Sequence, residues 1–260
     1  MGDYVETDSG IIIPESLGRE MAMAGCRPKA VDLFCGCGGF SLGFMQAGFE
    51  VVAAVDNDPC AVITYTMNLG KHPMQFIFVD DSDRQALEKR LTKKYKKADR
   101  EQLDVFETTG SGWISGHPKV PGVGTFIMGD IRKIKGRDIL DAVGLEVGEL
   151  DAVIGSPPCQ GFSFANSGRC AEDPRNELIF EYARLVCEMN PKTLCMENVP
   201  GITSMRTPDG FLVLDLFTRI LEEGGFAGVD ALRAAIKHQT GLTLMRDRKS
   251  KRKPKGAKRK

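Results

Sequence analysis

One cysteine in this 260-residue chain has surroundings that chemistry explains better than packing does. Cys159 follows Gly155-Ser-Pro-Pro158 and precedes Gln160-Gly-Phe-Ser163, directly behind the apolar run 151–155. Proline fixes φ and pushes the residue before it away from helix, so residues 156–158 hold the loop extended at the end of a buried strand. A thiol carried there suits a nucleophile that forms a covalent intermediate. Glu197, 38 residues later, closes a second apolar run (residues 193–196). It reads as a carboxylate aimed into the same crevice, against the plainer reading of a solvated turn acid.

A second group of residues suits a small ligand. Residues 32–41, Asp-Leu-Phe-Cys-Gly-Cys-Gly-Gly-Phe-Ser, form a glycine-rich turn between an apolar run and a helical pattern. In an open α/β sheet that turn borders the ligand crevice. Glycine lets the backbone approach a ligand closely, and the helix start offers unpaired N–H groups. Ser41 stands where the dinucleotide fingerprint needs its third glycine, so a nucleoside without a pyrophosphate fits better; a plain tight turn is the alternative. Asp56 ends the next apolar run and occupies the place of an acid that accepts ribose hydroxyls, with Asn57 and Asp58 toward the adenine side. Asp130, in Gly129-Asp-Ile131, ends a third run, where it could accept an adenine amino group. Each acid alone also reads as a helix cap. Three strand ends carrying acids or glycines together favour an adenosine-like ligand.

The elements that must position these residues alternate. Apolar runs at 30–34, 48–55, 125–128, 151–154 and 193–196 are interleaved with helical spacing at 41–47, 59–68, 137–143, 175–189 and 212–223. Strand–helix alternation predicts an α/β fold with a mostly parallel sheet and helices on both faces. Residues 1–27 read as an irregular lead-in. Residues 80–124 break the pattern and read as an insertion: a charged, exposed helix over 85–102, then a loop rich in Gly, Ser and Pro over 108–124. The catalytic body is thus expected over 28–225, followed by a divergent basic tail over 226–260, disordered at its end.

Composition narrows the partners. Apolar residues make up 42% and charged residues 27%, as in a soluble globular protein, and no apolar run reaches membrane-spanning length. The cytosol is the expected compartment. The eight cysteines read as reduced, small packing residues, and neither they nor the three histidines (72, 117, 238) have zinc-site spacing, so no metal is expected. The net charge of zero hides an asymmetry. Residues 246–260 hold ten Lys or Arg and one Asp, leaving 25 basic against 34 acidic residues in the body. A body this acidic lacks the broad basic face that supplies most DNA affinity.

These motifs, in this order, resemble the DNA cytosine-5 methyltransferases. The resemblance rests on the 32–41 turn, Asp56 with Tyr65 and Asn68, Gly129-Asp130-Ile131, Pro158-Cys159-Gln160, Arg175 with Leu178, and Glu197-Asn198-Val199, and covers about residues 29–223. It implies a Rossmann-like S-adenosylmethionine-dependent fold acting on DNA in a prokaryotic or phage-infected cell. It implies that Phe34, Gly36, Gly38, Asp56, Asn57, Asp130, Ile131 and Leu178 line the S-adenosyl-L-methionine site. It further implies that Cys159 is the nucleophile, that Glu197 contacts a flipped cytosine, and that Pro158, Gln160, Ser163, Asn198 and Val199 lie toward the substrate.

The later part of that family's pattern is not found. After Gly225 there is no Pro-Gln-x-Arg-x-Arg segment; Arg246-Asp-Arg248 echoes it without the Pro-Gln and reads as chance in a basic tail. No target-recognition region is visible. Three readings follow: one subunit of a split methyltransferase whose second subunit supplies recognition, a truncated product, or a non-catalytic cofactor-binding or regulatory module. The intact Cys159 and Glu197 rank the module lowest. An RNA cytosine-5 methyltransferase is a further alternative, because the chemistry is the same.

Overall fold

The computed structural model describes residues 4–6, 12–15, 27–94, 112–158, 177–207 and 209–238, so Cys159, Gln160, Ser163 and Arg175 lie outside the described residues. Near the N-terminus, β1 (Tyr4–Glu6) and β2 (Ile12–Pro14) make a separate antiparallel pair. Six strands then form one sheet: β3 (Lys29–Leu33), β4 (Glu50–Asp56), β5 (Gly70–Phe78), β6 (Val123–Met128), β7 (Ala152–Gly155) and β8 (Thr193–Met196). Their order is β5-β6-β4-β3-β7-β8, and every pairing is parallel. The chain leaves β3 in one direction through β4 and returns to its other side at β7. The carboxyl ends of these three strands therefore flank a topological switch point, where open α/β sheets bind ligands.

Both faces are covered. On one side lie α1 (Gly39–Gln46), α2 (Pro59–Leu69) and α3 (Asp81–Lys94), with Met45, Val62, Tyr65, Leu69, Leu87 and Leu91 buried in one cluster. On the other lie α4 (Gly136–Val143), α5 (Leu178–Met189) and α6 (Val213–Glu223), with Ile139, Leu140, Tyr182, Val186, Phe217 and Leu221 in a second. Strand side chains alternate between faces. Val31 and Leu33 join the second cluster, Ala30 joins the first, and Asp32, with the parity of Ala30, is carried toward α1 and α2. That parity decides the site's electrostatics.

Several sequence expectations need correction. Strand β5 is not announced by periodicity, because Gly70 and Pro73 read as turn residues; an edge strand tolerates proline, and the register shifts between Gly70 and Gln75. Helix α3 begins at Asp81 rather than 85 and is not wholly exposed, since Leu87 and Leu91, one turn apart, are buried. The expected loop after it contains a 3-10 turn, Trp113–Gly116, packed against α2 through buried Ile114. The lead-in is not irregular throughout, because β1 and β2 pair within it, as their β-branched and aromatic content allows. The expected tail boundary is also too early. Phe226 and Val229 are buried with the α5–α6 cluster, and a further helix, α7, covers residues 229–238. Finally, of the five described free cysteines only Cys35 is buried, whereas Cys37, Cys60 and Cys195 are exposed and Cys187 is intermediate. Among the described residues no helix is long and apolar enough to cross a membrane.

Candidate active site

The glycine-rich turn is built by left-handed backbone. Phe34, Gly36 and Gly38 have φ of 58°, 52° and 91°. At Gly38 glycine is required twice over, since a Cβ would lie 2.6 Å from Leu69 Cδ1 and 2.9 Å from Tyr65 Cδ2. The turn is tied to the neighbouring strand by Cys35 N donating to Val55 O (3.1 Å) and Gly36 N donating to Asp56 Oδ2 (2.8 Å). Asp56 Oδ1 accepts from Asp58 N (2.9 Å). Two backbone donors thus orient the Asp56 carboxylate while leaving acceptor capacity on each oxygen. A Cβ at Gly36 or Gly39 would meet nothing within 4 Å, so there is open space against the turn.

Beneath the turn lies a buried hydroxyl–carboxyl chain. Asp32 is fully buried; Ser41 Oγ lies 2.6 Å from its Oδ2 and 2.7 Å from Tyr65 Oη. Asp32 Oδ1 has no partner among the described groups. Burial raises the Asp32 pKa from 3.8 to about 7, with the Ser41 hydrogen bonds opposing and Asp56 adding to the rise. Burial likewise pushes up the Cys35 thiol and the Tyr65 phenol. Sequence reading passed over this group. The available signal was one acid inside the apolar run 30–34.

The expected adenine side divides. Asp58 caps α2, accepting from Cys60 N (2.6 Å) and Ala61 N (3.2 Å), whereas Asn57 is exposed. Asp130 caps the short turn Ile131–Lys133, and the Arg132 fork closes on it through Nε (2.9 and 3.1 Å) and Nη2 (2.8 Å). The Arg132 bond holds the Asp130 carboxyl below its usual range. Ile131 is buried in the α4–α5 cluster, so its side chain serves the core; Leu178 is partly buried at the start of α5. Arg132 was not anticipated.

The expected substrate side gathers at the ends of β7 and β8. Gly155 pairs with Met196, and Glu197 N donates to Gly155 O (3.0 Å). Beyond that bond, Asn198 Nδ2 donates to Pro157 O (3.0 Å) and Val199 N donates to Asn198 Oδ1 (2.9 Å). Behind the strands the Tyr182 hydroxyl donates to Val153 O (3.0 Å), with Cys195 O at 3.4 Å, and its ring lies where a Gly155 Cβ would fall, 2.7 Å away. Pro157 is buried, Pro158 partly buried and Glu197 exposed. The exposed Glu197 and the Pro157–Pro158 segment that leads in sequence to Cys159 thus leave the sheet side by side.

The family described as C-5 cytosine-specific DNA methylase matches residues 28–98 and 120–229. The chain belongs to this family. Its curated relatives include the type II methyltransferases M.XorII of Xanthomonas oryzae pv. oryzae (32% identical over 177 residues, 68% of this chain and 29% of that one) and M.AgeI of Thalassovita gelatinovora (31% over 206 residues, 79% and 35%). Another is M.AquIA of Picosynechococcus sp. (30% over 174 residues, 67% and 49%). The chain spans half or less of the length of the curated relatives it matches. Membership in the C-5 methylases implies S-adenosylmethionine, and the turn fits that group. Open space lies against Gly36 and Gly39, and the flanking strand ends offer carboxylates suited to hydroxyls and amines. The cations beside them, Arg132 and Lys133, are paired with Asp130 and Asp80, which favours a ligand without a phosphate.

Proposed function

We propose that this C-5 methylase chain is the catalytic portion of a DNA (cytosine-5)-methyltransferase. Cys159 is its nucleophile, Glu197 its partner on the cytosine, and S-adenosyl-L-methionine its methyl donor. The observation that carries this reading is the register of β7 against β8, which brings Glu197 beside the segment leading to Cys159. Carbon 5 of cytosine is a weak nucleophile inside an aromatic ring. A Cys159 thiolate adding to C6 forms the S–C6 bond and moves the ring electrons toward C5 and N3, where Glu197 donates a hydrogen bond or a proton. The bound cofactor supplies an electrophilic methyl group. C5 bonds to that methyl group, a water takes the C5 proton, the S–C6 bond breaks so that Cys159 leaves as thiolate, and any proton on N3 returns to Glu197. The base must first be flipped out of the duplex, because stacking covers both of its faces.

Phe34, Gly36, Gly38, Asp56, Asn57, Asp130 and Leu178 are proposed to surround the cofactor. Asp56 would take the ribose hydroxyls, and Asp130 the adenine amino group on acceptor capacity left free by Arg132. Gln160 and Ser163 are proposed on the substrate side with Pro158 and Val199. Target-sequence reading is proposed to reside in the length that the relatives carry beyond the match, whether on this polypeptide or a second subunit. Replacing Cys159 by Ala should abolish methyl transfer and the covalent adduct with 5-fluorocytosine DNA, while cofactor binding survives. Methylation that persists in this variant would show that the nucleophile lies elsewhere. A module that only binds cofactor would give no tritium transfer even with the length that the relatives carry beyond the match supplied.

A further inference from the structure

The two strands that carry the proposed chemistry stop pairing in an unusual way. In a parallel ladder one residue bonds alternately to two residues of its neighbour, so Glu197 N donating to Gly155 O fixes what should follow. The next two rungs would run from residue 157 N to Glu197 O and from Val199 N to Pro157 O. The first cannot form, because Pro157 has no N–H. The second is interrupted by a side chain. Val199 N donates to Asn198 Oδ1 (2.9 Å), and Asn198 Nδ2 donates to Pro157 O (3.0 Å). The amide carries one acceptor and one donor arm, and here it joins the two backbone groups that would otherwise have met directly.

We propose that the Asn198 side-chain amide is a spacer that splits β7 from β8 by its own width, opening a notch between Pro157–Pro158 and Val199 that admits the flat face of the target base. Asn198 is on this account a positioning residue, not a group that touches the substrate. The inference deepens the function proposed above and rests on the Cys159–Glu197 assignment. Three features of the notch fit an aromatic ring. Its floor is the last direct rung, Glu197 N to Gly155 O. Its walls are apolar, with Pro158 partly buried and Val199, the residue before the 3-10 turn Pro200–Ser204, 42% exposed. The amide satisfies both Val199 N and Pro157 O, and Glu197 O, whose rung Pro157 forbids, belongs to an exposed residue that water can reach.

The test compares Asn198→Ala and Asn198→Asp with the wild-type chain. In Asn198→Ala the interrupted rung can close, with Val199 N donating straight to Pro157 O. Its crystal structure should show that hydrogen bond, and its thermal midpoint should not fall. The rate of adduct formation at Cys159 with saturating 5-fluorocytosine DNA should drop at least tenfold, while the dissociation constant for S-adenosylhomocysteine stays within twofold. Asn198→Asp keeps the acceptor for Val199 N but regains a donor toward Pro157 O only when protonated. Its adduct rate relative to wild type should therefore rise about tenfold as the pH is lowered from 8 to 5.5. A rung that stays open in the Asn198→Ala crystal, or an adduct rate and midpoint that fall together, would overturn the spacer. Absence of any adduct in the wild-type chain supplied with the length that the relatives carry beyond the match, with the rung closing as described in the alanine variant, would instead remove the Cys159 reading and leave the split of β7 from β8 standing.

Discussion

Replacing Asp32 by asparagine should make the protein more stable in mild alkali, although it removes a hydrogen-bonded carboxylate. Asp32 is fully buried, its Oδ1 has no partner among the described residues, and its pKa is raised from 3.8 to about 7, chiefly by burial. The titratable groups coupled to it from the surrounding elements are all acids: Cys35 on the turn, Asp56 on β4, Tyr65 on α2 and Tyr182 on α5. Among the described residues no cation offsets the carboxylate. Because the folded value lies above the unfolded one, the neutral acid's contribution is fully present below about pH 4. It is lost progressively as the pH rises through 7. A rise from 3.8 to about 7, at about 1.4 kcal/mol per pH unit, makes this loss about 4 kcal/mol.

Asparagine is nearly isosteric, cannot ionise, and can still meet Ser41 Oγ, so the variant should escape the loss. Urea unfolding from pH 4.5 to 8.5 reads the difference directly, since every other titrating group is common to both proteins. The stability of the Asp32→Asn variant minus that of the wild type should climb with pH up to about 7 and then level off about 4 kcal/mol above its acid value. A difference that stays flat across that range would refute the argument, because Asp32 would then titrate in the same range folded and unfolded.

Gly38→Ala should lower the thermal midpoint, at a cost above about 1 kcal/mol, because alanine must take φ of 91° and drive its Cβ into Leu69 and Tyr65; an unchanged midpoint in calorimetry would contradict the packing. Asp56→Ala leaves Gly36 N without its acceptor at 2.8 Å and should weaken S-adenosylhomocysteine binding at least tenfold by titration calorimetry, by the loss of a charge-assisted hydrogen bond worth about 1.5–3 kcal/mol. Unaltered affinity would move the cofactor away from β4. Tyr182→Phe removes the hydroxyl donating to Val153 O and should cost about 1 kcal/mol in urea unfolding without changing the sheet order, whereas a loss of several kcal/mol would mean that the hydroxyl ties β7 to β8 more strongly than one bond allows.

How much of this was legible in the sequence depends on how far apart the cooperating residues lie. The turn at 32–41, the strand-ending acids Asp56 and Asp130 and the carboxylate after residues 193–196 are local signals, each a polar or glycine residue closing an apolar run. Sheet placement follows from alternation, and the parallel order agrees with it. Edge strand β5 was hidden because its residues Gly70 and Pro73 carry turn chemistry that only an edge position tolerates. The same locality places Ile131 next to Asp130 in sequence, but only the fold shows that its side chain packs in the α4–α5 cluster. Arg132 went unnoticed because its partner is two residues away on a turn, a contact set by backbone conformation rather than by spacing.

Pairing register is the quantity that sequence periodicity cannot supply, and it separates two roles that one motif merges. Glu197-Asn198-Val199 reads in sequence as three residues aimed at one substrate. Once Gly155 is opposite Met196, successive residues acquire different duties. Glu197 donates its N–H to the last rung and keeps its carboxylate exposed, Asn198 turns its amide onto Pro157, and Val199 is left standing at the mouth of the gap. A shift of the register by one residue would exchange these duties, put the carboxylate where the amide is, and let the strands close. The two prolines before Cys159 therefore do more than stiffen a loop. By removing the N–H that Glu197 O would need, Pro157 ends the ladder at the point where the strands must part, and the asparagine across from it keeps them parted.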